Sequence, residues 1–255
     1  MIRYVLPRTP SVGFFSHFTL SYANNVLYIT PPYYFIICQC YVGQKKLNAA
    51  IESFASESSP PLSVEWRPYI IDPNTKTDGE EFEAYNVRRW GSSGWTHGLK
   101  RSGKKVGANF SNWKTWPNTL RAHQLIAYVT NPNRNVDNKP TTSECNAAIF
   151  DAMYECGENV SLVDTLVNIG TERLGVSTSE ADDLKIHLEN NASAKDVMKD
   201  IQTGRRMYNI QGVPFFVIGA VDGEESLGRP YGFSGAQDSS TFIDIFEELA
   251  GNLAK

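Results

Sequence analysis

Gly212-Val213-Pro214-Phe215-Phe216-Val217-Ile218 is the stretch that decides how this chain folds. The four residues after the proline are all aromatic or β-branched, the composition of a buried strand. A proline at the first position of a strand is tolerated, because no ladder donor is lost there. Far upstream stands Cys38-Gln39-Cys40-Tyr41-Val42-Gly43. Just beyond it Leu47, Ala50, Ile51 and Phe54 follow the i, i+3, i+4, i+7 spacing of an amphipathic helix. A cysteine pair heading a helix and a proline-led strand are two parts that thiol chemistry uses. One stabilises a thiolate; the other is a rigid backbone edge against which a substrate is held.

Working outward, Asn25–Thr30 and Tyr33–Cys38 are apolar, β-branched and aromatic runs separated by Pro31-Pro32, and each reads as a strand. Ser56-Glu57-Ser58-Ser59-Pro60-Pro61 ends the helix through Phe54. Val64-Glu65-Trp66-Arg67 is the next strand, with Val64 and Trp66 on one face. From about residue 78 to 208 the signals are mostly helical. Leu120, His123, Ala127 and Thr130 share a face, and Asn131-Pro132-Asn133 stops that helix. Ser161 reads as a helix cap, with Asp164 in the first turn. Strand character returns at Val213–Ile218 and Tyr231–Phe233. Asp238-Ser239-Ser240 then caps a helix with Phe242, Ile245, Phe246 and Leu249 on one stripe. The order is a βαβ unit and a ββα unit separated by a helical block, an α/β fold class. It divides the chain into a sheet-bearing domain from 25–75 and 209–255, a helical insertion from 76–208, and a weakly ordered N-terminus over 1–24.

The 255 residues are 41% hydrophobic and 20% charged, an ordinary globular balance. A net charge of −4 gives no basic excess for nucleic acid. No apolar run is long enough to span a membrane, and no secretory signal is legible at the N-terminus. The four cysteines form no repeating framework and no zinc spacing with histidine. Together these features predict a cytoplasmic protein with no metal.

Cys38 and Cys40 lie at the junction of strand and helix, where unpaired N–H groups and the helix dipole lower a thiol pKa. Lys45 and Lys46 add positive charge. The competing reading is two small buried thiols closing a strand. Local sequence favours a trans Val213-Pro214 bond, since cis is the minority form. If it is cis, Val213 presents its backbone as a free edge. Cys145 and Cys156 read as inert thiols. His123 reads as a core or substrate-pocket residue, and Asn118 and Arg121 on the same segment give that pocket polar character.

These pieces carry a resemblance. Cys40-Tyr41-Val42-Gly43-Gln44-Lys45-Lys46-Leu47, Trp66-Arg67-Pro68, Asn118-Thr119 with Ala122-His123, Gly212 to Ile218, and Ser234-Gly235-Ala236-Gln237 resemble DsbA-like thioredoxin-fold proteins of the FrnE type. That family is related to hydroxychromene-carboxylate isomerases and kappa-class glutathione transferases. The resemblance implies a thioredoxin-like fold with a large all-helical insertion between its βαβ and ββα halves, and a cis Pro214 beside the active thiol. It implies a thiol–disulfide oxidoreductase; taken with the place of the cysteines at the helix head, the leading reading makes Cys38 and Cys40 catalytic and gives Val213, Pro214, His123 and Asn118 to substrate binding. The alternatives are a glutathione-dependent isomerase or transferase, or a binding module whose motif has decayed. No cofactor is implied, with glutathione a candidate co-substrate. The partner is a thiol or disulfide, and the protein is a monomer or homodimer.

The redox motif itself departs from the family. Redox members open the first helix with CPWC. Here Cys40 matches the second cysteine, Ile37 stands where the first would be, Cys38 matches the proline and Gln39 the tryptophan. Two readings stay open. Cys38 has taken over as nucleophile with Cys40 resolving, or residues 1–39 replace the usual first strand and first cysteine.

Overall fold

The computed structural model describes residues 4–5, 26–33, 38–56, 58–210, 212–222 and 225–253. The expected weakly ordered segment 1–24 falls outside these residues, except for a two-residue strand, β1 (Tyr4–Val5). The βαβ unit follows: β2 (Val26–Tyr33), α1 (Cys38–Phe54) and β3 (Leu62–Val64). β2 runs through Pro31-Pro32 where two strands were expected, and its register slips between Thr30 and Tyr33. The slip falls on the two prolines, which have no N–H to give to a ladder. Cys38 therefore heads α1 and does not end a strand. The helical period extends back to it, with Tyr41 and Val42 three and four residues on. β3 is also shorter than expected, and Glu65, Trp66 and Arg67 lie beyond its end.

The helical block comprises β4 (Glu80–Glu81), α2 (Phe82–Trp90), α3 (Thr96–Lys104), β5 (Thr115–Trp116), α4 (Leu120–Val129), α5 (Thr142–Phe150), α6 (Val163–Arg173), α7 (Ala181–Glu189) and α8 (Ala194–Tyr208). α5 begins with a capping box between Thr141 and Glu144 and runs into a π-helical turn, Asp151–Glu155. Ser161 does not cap α6: Leu162 holds that position, and Ser161 Oγ accepts the Asn118 N–H at 2.9 Å. The serine hydroxyl ties two loops together instead. The chain closes with β6 (Phe215–Asp222), β7 (Glu225–Ser234) and α9 (Ser239–Leu253).

The main sheet has the order β1-β7-β6-β2-β3. β2 and β3 are parallel; β6 is antiparallel to both β2 and β7. β6 is central and covered on both faces, so it is buried from Phe215 to Val221, a continuous apolar run without alternation. On one face Phe216 meets Phe242 of α9 at 5.0 Å between ring centroids. Tyr208 at the end of α8 approaches Phe215 at 6.4 Å. The buried apolar residues of sheet and helical block form a single cluster.

This topology gathers the chemistry at one end. β2 enters α1, β3 enters the Glu65–Pro68 loop, and β6 leaves Pro214, all at the same edge of the sheet. α3 closes over α1 at Gly103, where an added Cβ would stand 2.7 Å from the Ala108 carbonyl oxygen and 3.2 Å from Val42 Cγ2. Only glycine permits that approach.

Candidate active site at the head of the first helix

Cys38 and Cys40 are both fully buried, with Gln39 exposed between them. Each residue turns a helix by about 100°, so two residues apart face nearly opposite ways. Cys38 shares its side with Tyr41 and Val42. Tyr41 stacks on Tyr154 at 5.3 Å and meets Phe110 edge-on at 5.5 Å. Its hydroxyl donates to Glu155 Oε1 at 3.0 Å. That side of α1 faces the helical block. Cys40 shares its side with Gly43 and Leu47, which face the sheet. An added Cβ at Gly43 would stand 3.2 Å from Pro214 Cγ and 3.5 Å from Phe216 Cζ.

The expected lowering of the Cys38 pKa is not present. Burial pushes this thiol up to about 12, outweighing backbone N–H groups and the charge of Lys100, which act the other way. The helix dipole is worth about 0.3–1 kcal/mol at an exposed end, whereas removing water from a thiolate costs several. Lys46 is engaged elsewhere, pairing with Asp238 at 2.7 Å and the Ala236 carbonyl at 3.2 Å. Lys45 lies over the Tyr41 ring at 5.5 Å. None of the four cysteines forms a disulfide.

The Val213–Pro214 peptide bond is cis. The Pro214 carbonyl accepts the Gly235 N–H at 2.7 Å. Gly235 has φ 88°, a left-handed conformation that favours glycine. Gln237 closes the turn by donating to the Ser234 carbonyl at 2.8 Å. Ser234-Gly235-Ala236-Gln237 is thus the clamp that seats Pro214 against α1. Among the described residues Val213 makes no backbone hydrogen bond, because the pairing of β6 begins at Phe215.

Beside this junction lies a cleft of about 240 Å³, lined by Glu65, Trp66, Arg67, His123, Thr142 and Asp200 among others. Trp66 links the two places: its ring meets Phe216 at 6.4 Å, and its backbone N–H donates to Thr142 Oγ1 at 2.8 Å. Arg67 lies between Glu65 at 2.8 Å and Asp200 at 3.5 Å. Burial raises both carboxyl pKa values, with Arg67 opposing. His123 faces this cleft and holds the Tyr69 carbonyl at 3.1 Å. A carbonyl only accepts, so Nε2 carries the proton. Burial drives this histidine down to about 4, and it is neutral at pH 7.

Asn118 is not brought to the cleft. Its Nδ2 donates to the Thr75 carbonyl at 3.0 Å and its Oδ1 accepts the Leu120 N–H at 3.2 Å, so it starts α4 and anchors a loop. The sequence reading missed Asp200, Thr142 and Tyr154. No local pattern marks them, since each arrives from the helical block through tertiary packing. Among the described residues no His, Cys, Asp or Glu group is arranged to hold a metal ion, and no helix is long and apolar enough to cross a membrane.

A cis-proline clamp against a cysteine-bearing helix, with a helical block over both, defines a thioredoxin-fold protein of the DsbA type. The model of the DSBA-like thioredoxin domain matches residues 33–246, and the chain belongs to that family. Its fold is similar to a probable DsbA oxidoreductase from Streptomyces coelicolor, at 19% identity and TM-score 0.68, over 89% of this chain and 90% of that one. It is also similar to a 2-hydroxychromene-2-carboxylate isomerase (14%, TM-score 0.52, 90% and 97%). The cytosolic disulfide reductase DsbM of Pseudomonas aeruginosa, solved with glutathione, is a third (13%, TM-score 0.51, 90% and 97%). At these identities the likeness is one of fold. No curated protein matches the sequence significantly.

Proposed function

We propose that the protein is a thiol–disulfide oxidoreductase that binds its substrate along the Val213 backbone edge and reacts with it at the head of α1. The observation that carries this reading is the unpaired Val213 backbone, held beside a cysteine-bearing helix turn by the Pro214–Gly43 contact. An extended thiol compound or peptide segment adds to such an edge by backbone hydrogen bonds.

In the first half-reaction the Cys38 thiolate attacks one sulfur of a substrate disulfide. A mixed disulfide forms, and the other substrate sulfur leaves as a thiolate. Cys40 then attacks the Cys38 sulfur. The substrate leaves as its second thiolate, and a Cys38–Cys40 bond remains. The substrate gains two electrons and the cysteine pair loses two. Cys38 and Cys40 do not face each other on an intact helix, so this reading requires the first turn of α1 to open. Cys38 is the first residue of α1, and its N–H has no intrahelical bond to lose. Opening also returns Cys38 to water, where its pKa falls towards the usual thiol range. The reading places the protein in a reducing, cytoplasmic setting, where thiols persist.

The test is disulfide reduction, with insulin or glutathione disulfide as substrate and a small dithiol such as dithiothreitol returning the Cys38–Cys40 bond to two thiols, by the protein and by Cys38→Ser and Cys40→Ser. Loss of turnover in Cys38→Ser is the expected result. Undiminished turnover removes Cys38 from the mechanism.

The burial of Cys38 favours a second reading, a glutathione-dependent isomerase or transferase. There glutathione occupies the Val213 edge and brings the reacting thiol itself. Glutathione binding that survives replacement of both cysteines supports it.

A further inference from the structure

Five donors converge on the Glu155 carboxylate. Oε1 accepts the Asn109 N–H at 2.9 Å, the Phe110 N–H at 3.0 Å and the Tyr41 hydroxyl at 3.0 Å. Oε2 accepts the Ser111 hydroxyl at 2.8 Å and the Ser111 N–H at 3.3 Å. Two local irregularities build this arrangement. Phe110 has φ 55°, in the left-handed region that a bulky side chain rarely enters. In that conformation successive N–H groups turn towards one point and cradle an anion. The π-helical turn Asp151–Glu155 is closed by the Cys156 N–H on the Asp151 carbonyl at 3.0 Å. The extra residue in that turn rotates Glu155 by about 100° from where an α-helix would carry it. Burial raises this carboxyl's pKa, but the Ser111, Phe110 and Tyr41 donors outweigh it and leave it below its ordinary value.

Four of these donors come from residues 109–111, so that loop alone fixes the carboxylate. The fifth is Tyr41, in the first turn of α1 and three residues after Cys38, a spacing that places the two on one side of the helix. Burial and the Glu155 charge raise the Tyr41 pKa, so its hydroxyl stays protonated and donates. Burial also raises the pKa of Tyr154, and charge on Cys38 and on Cys40 raises it further. Both thiols are therefore within electrostatic reach of the ring that stacks on Tyr41. The unequal support of the two partners decides which one moves. When the first turn of α1 shifts, Glu155 keeps its loop donors and the Tyr41 hydroxyl exchanges the carboxylate for water. No buried group is stranded. The lost bond is one hydrogen bond to a charged acceptor, about tenfold or more in the ratio of closed to open turn.

We infer that Tyr41 and Glu155 are positioning residues for Cys38, their hydrogen bond being the latch that keeps the first turn of α1 closed. Glu155 is the fixed post, and Tyr41 is the part that lets go when the turn opens. This rests on the proposed function insofar as that reading needs the turn to open for Cys38 to meet Cys40 and substrate. The helical block thereby governs access to the thiol and does more than cover it.

The test is alkylation of the reduced, native protein by iodoacetamide at about pH 7.5, with the rate at each cysteine read by mass spectrometry. Tyr41→Phe removes the hydroxyl and keeps the ring. Alkylation of a buried thiol follows the population of the locally open form. Cys38 is therefore expected to react about tenfold faster in Tyr41→Phe than in the parent, the worth of one hydrogen bond to a charged group. Cys145, buried in α5, is the internal control, and its rate is expected to stay unchanged. An unchanged Cys38 rate overturns the inference. So does a Cys145 rate that rises in step with Cys38, which marks a general loss of stability and not the release of one turn. If Tyr41→Phe does not fold, Glu155→Gln, which withdraws the charged acceptor, is read in the same way. Alkylation uses no disulfide substrate, so its outcome is independent of whether the protein reduces disulfides.

Discussion

Gly43 and Pro214 touch across the junction of α1 and the sheet: a Cβ at Gly43 would stand 3.2 Å from Pro214 Cγ and 3.7 Å from Ala236 Cβ. This contact seats Pro214 and the Val213 backbone beside it one helical turn from Cys40. A glycine inside a helix costs about 0.5–1 kcal/mol relative to alanine, and here that cost secures the approach. Gly43→Leu is expected to lower stability by about 1–3 kcal/mol through overpacking, with reduced substrate binding. Urea unfolding measures the first, and a Leu variant as stable as the parent would show that the contact yields freely.

Gly103 plays the same part where α3 meets α1. Alanine there would gain about 1 kcal/mol of helix propensity, but its Cβ would fall 2.7 Å from the Ala108 carbonyl oxygen and 2.8 Å from the Phe110 ring. The backbone atom has little room to retreat. Gly103→Ala is therefore expected to destabilise, by about 1–3 kcal/mol. A stabilised variant, read by its denaturant midpoint, would mean that α3 shifts off α1 without penalty.

His123 sets a pH dependence. Its folded pKa is about 4, against 6.5 unfolded. Between those values the unfolded chain binds the extra proton. The contribution of His123 is fully present above pH 6.5 and is lost as pH falls towards 4. Comparison with His123→Gln isolates it as a gap of about 3 kcal/mol that shrinks across that window. Glu65 and Asp200, raised by burial, run the opposite way, losing stability as pH rises through their folded values, and they cancel in the difference. A gap that stays constant from pH 7 to 4 would show a protonated, paired His123 in the fold.

Cysteine reactivity should separate by exposure. Cys156 is exposed, whereas Cys38 is buried and that burial raises its pKa to about 12. With iodoacetamide at pH 7.5 (about physiological, where the thiolate reacts), mapped by mass spectrometry, Cys156 is expected to be alkylated at least about tenfold faster than Cys38. Equal rates would mean that the first turn of α1 is open in the resting protein.

Much of the fold was legible because local signals and tertiary demands agree. The run after Pro214 has no polar residue, and it became the strand buried on both faces. The 3.6-residue period through Leu47 and Phe54 became α1, and Asn131-Pro132-Asn133 follows the end of α4. The misses occur where a long-range partner overrules the local cue. Pro31-Pro32 suggested a break between strands, but β6 carries β2 across them with a slip in register. Ser161 had the residue type of a cap and serves Asn118 instead. Asn118 was a plausible pocket residue, and Thr75 and Leu120 claim its side chain.

The sequence by itself determined the strand after Pro214, the helix after Cys40 and, through the motifs spread between them, the family. Those are properties of residue type and spacing, which act over a few residues and need no partner. Only the tertiary structure decided the state of the thiols. The place of Cys38 at a helix head predicts a lowered pKa, but the aromatic residues of the helical block remove the water that a thiolate needs, and desolvation outweighs the dipole. The same packing brings Tyr154 to Tyr41 and Asp200 to Arg67. These pairs are far apart in sequence, and their energies depend on burial, which no local pattern encodes.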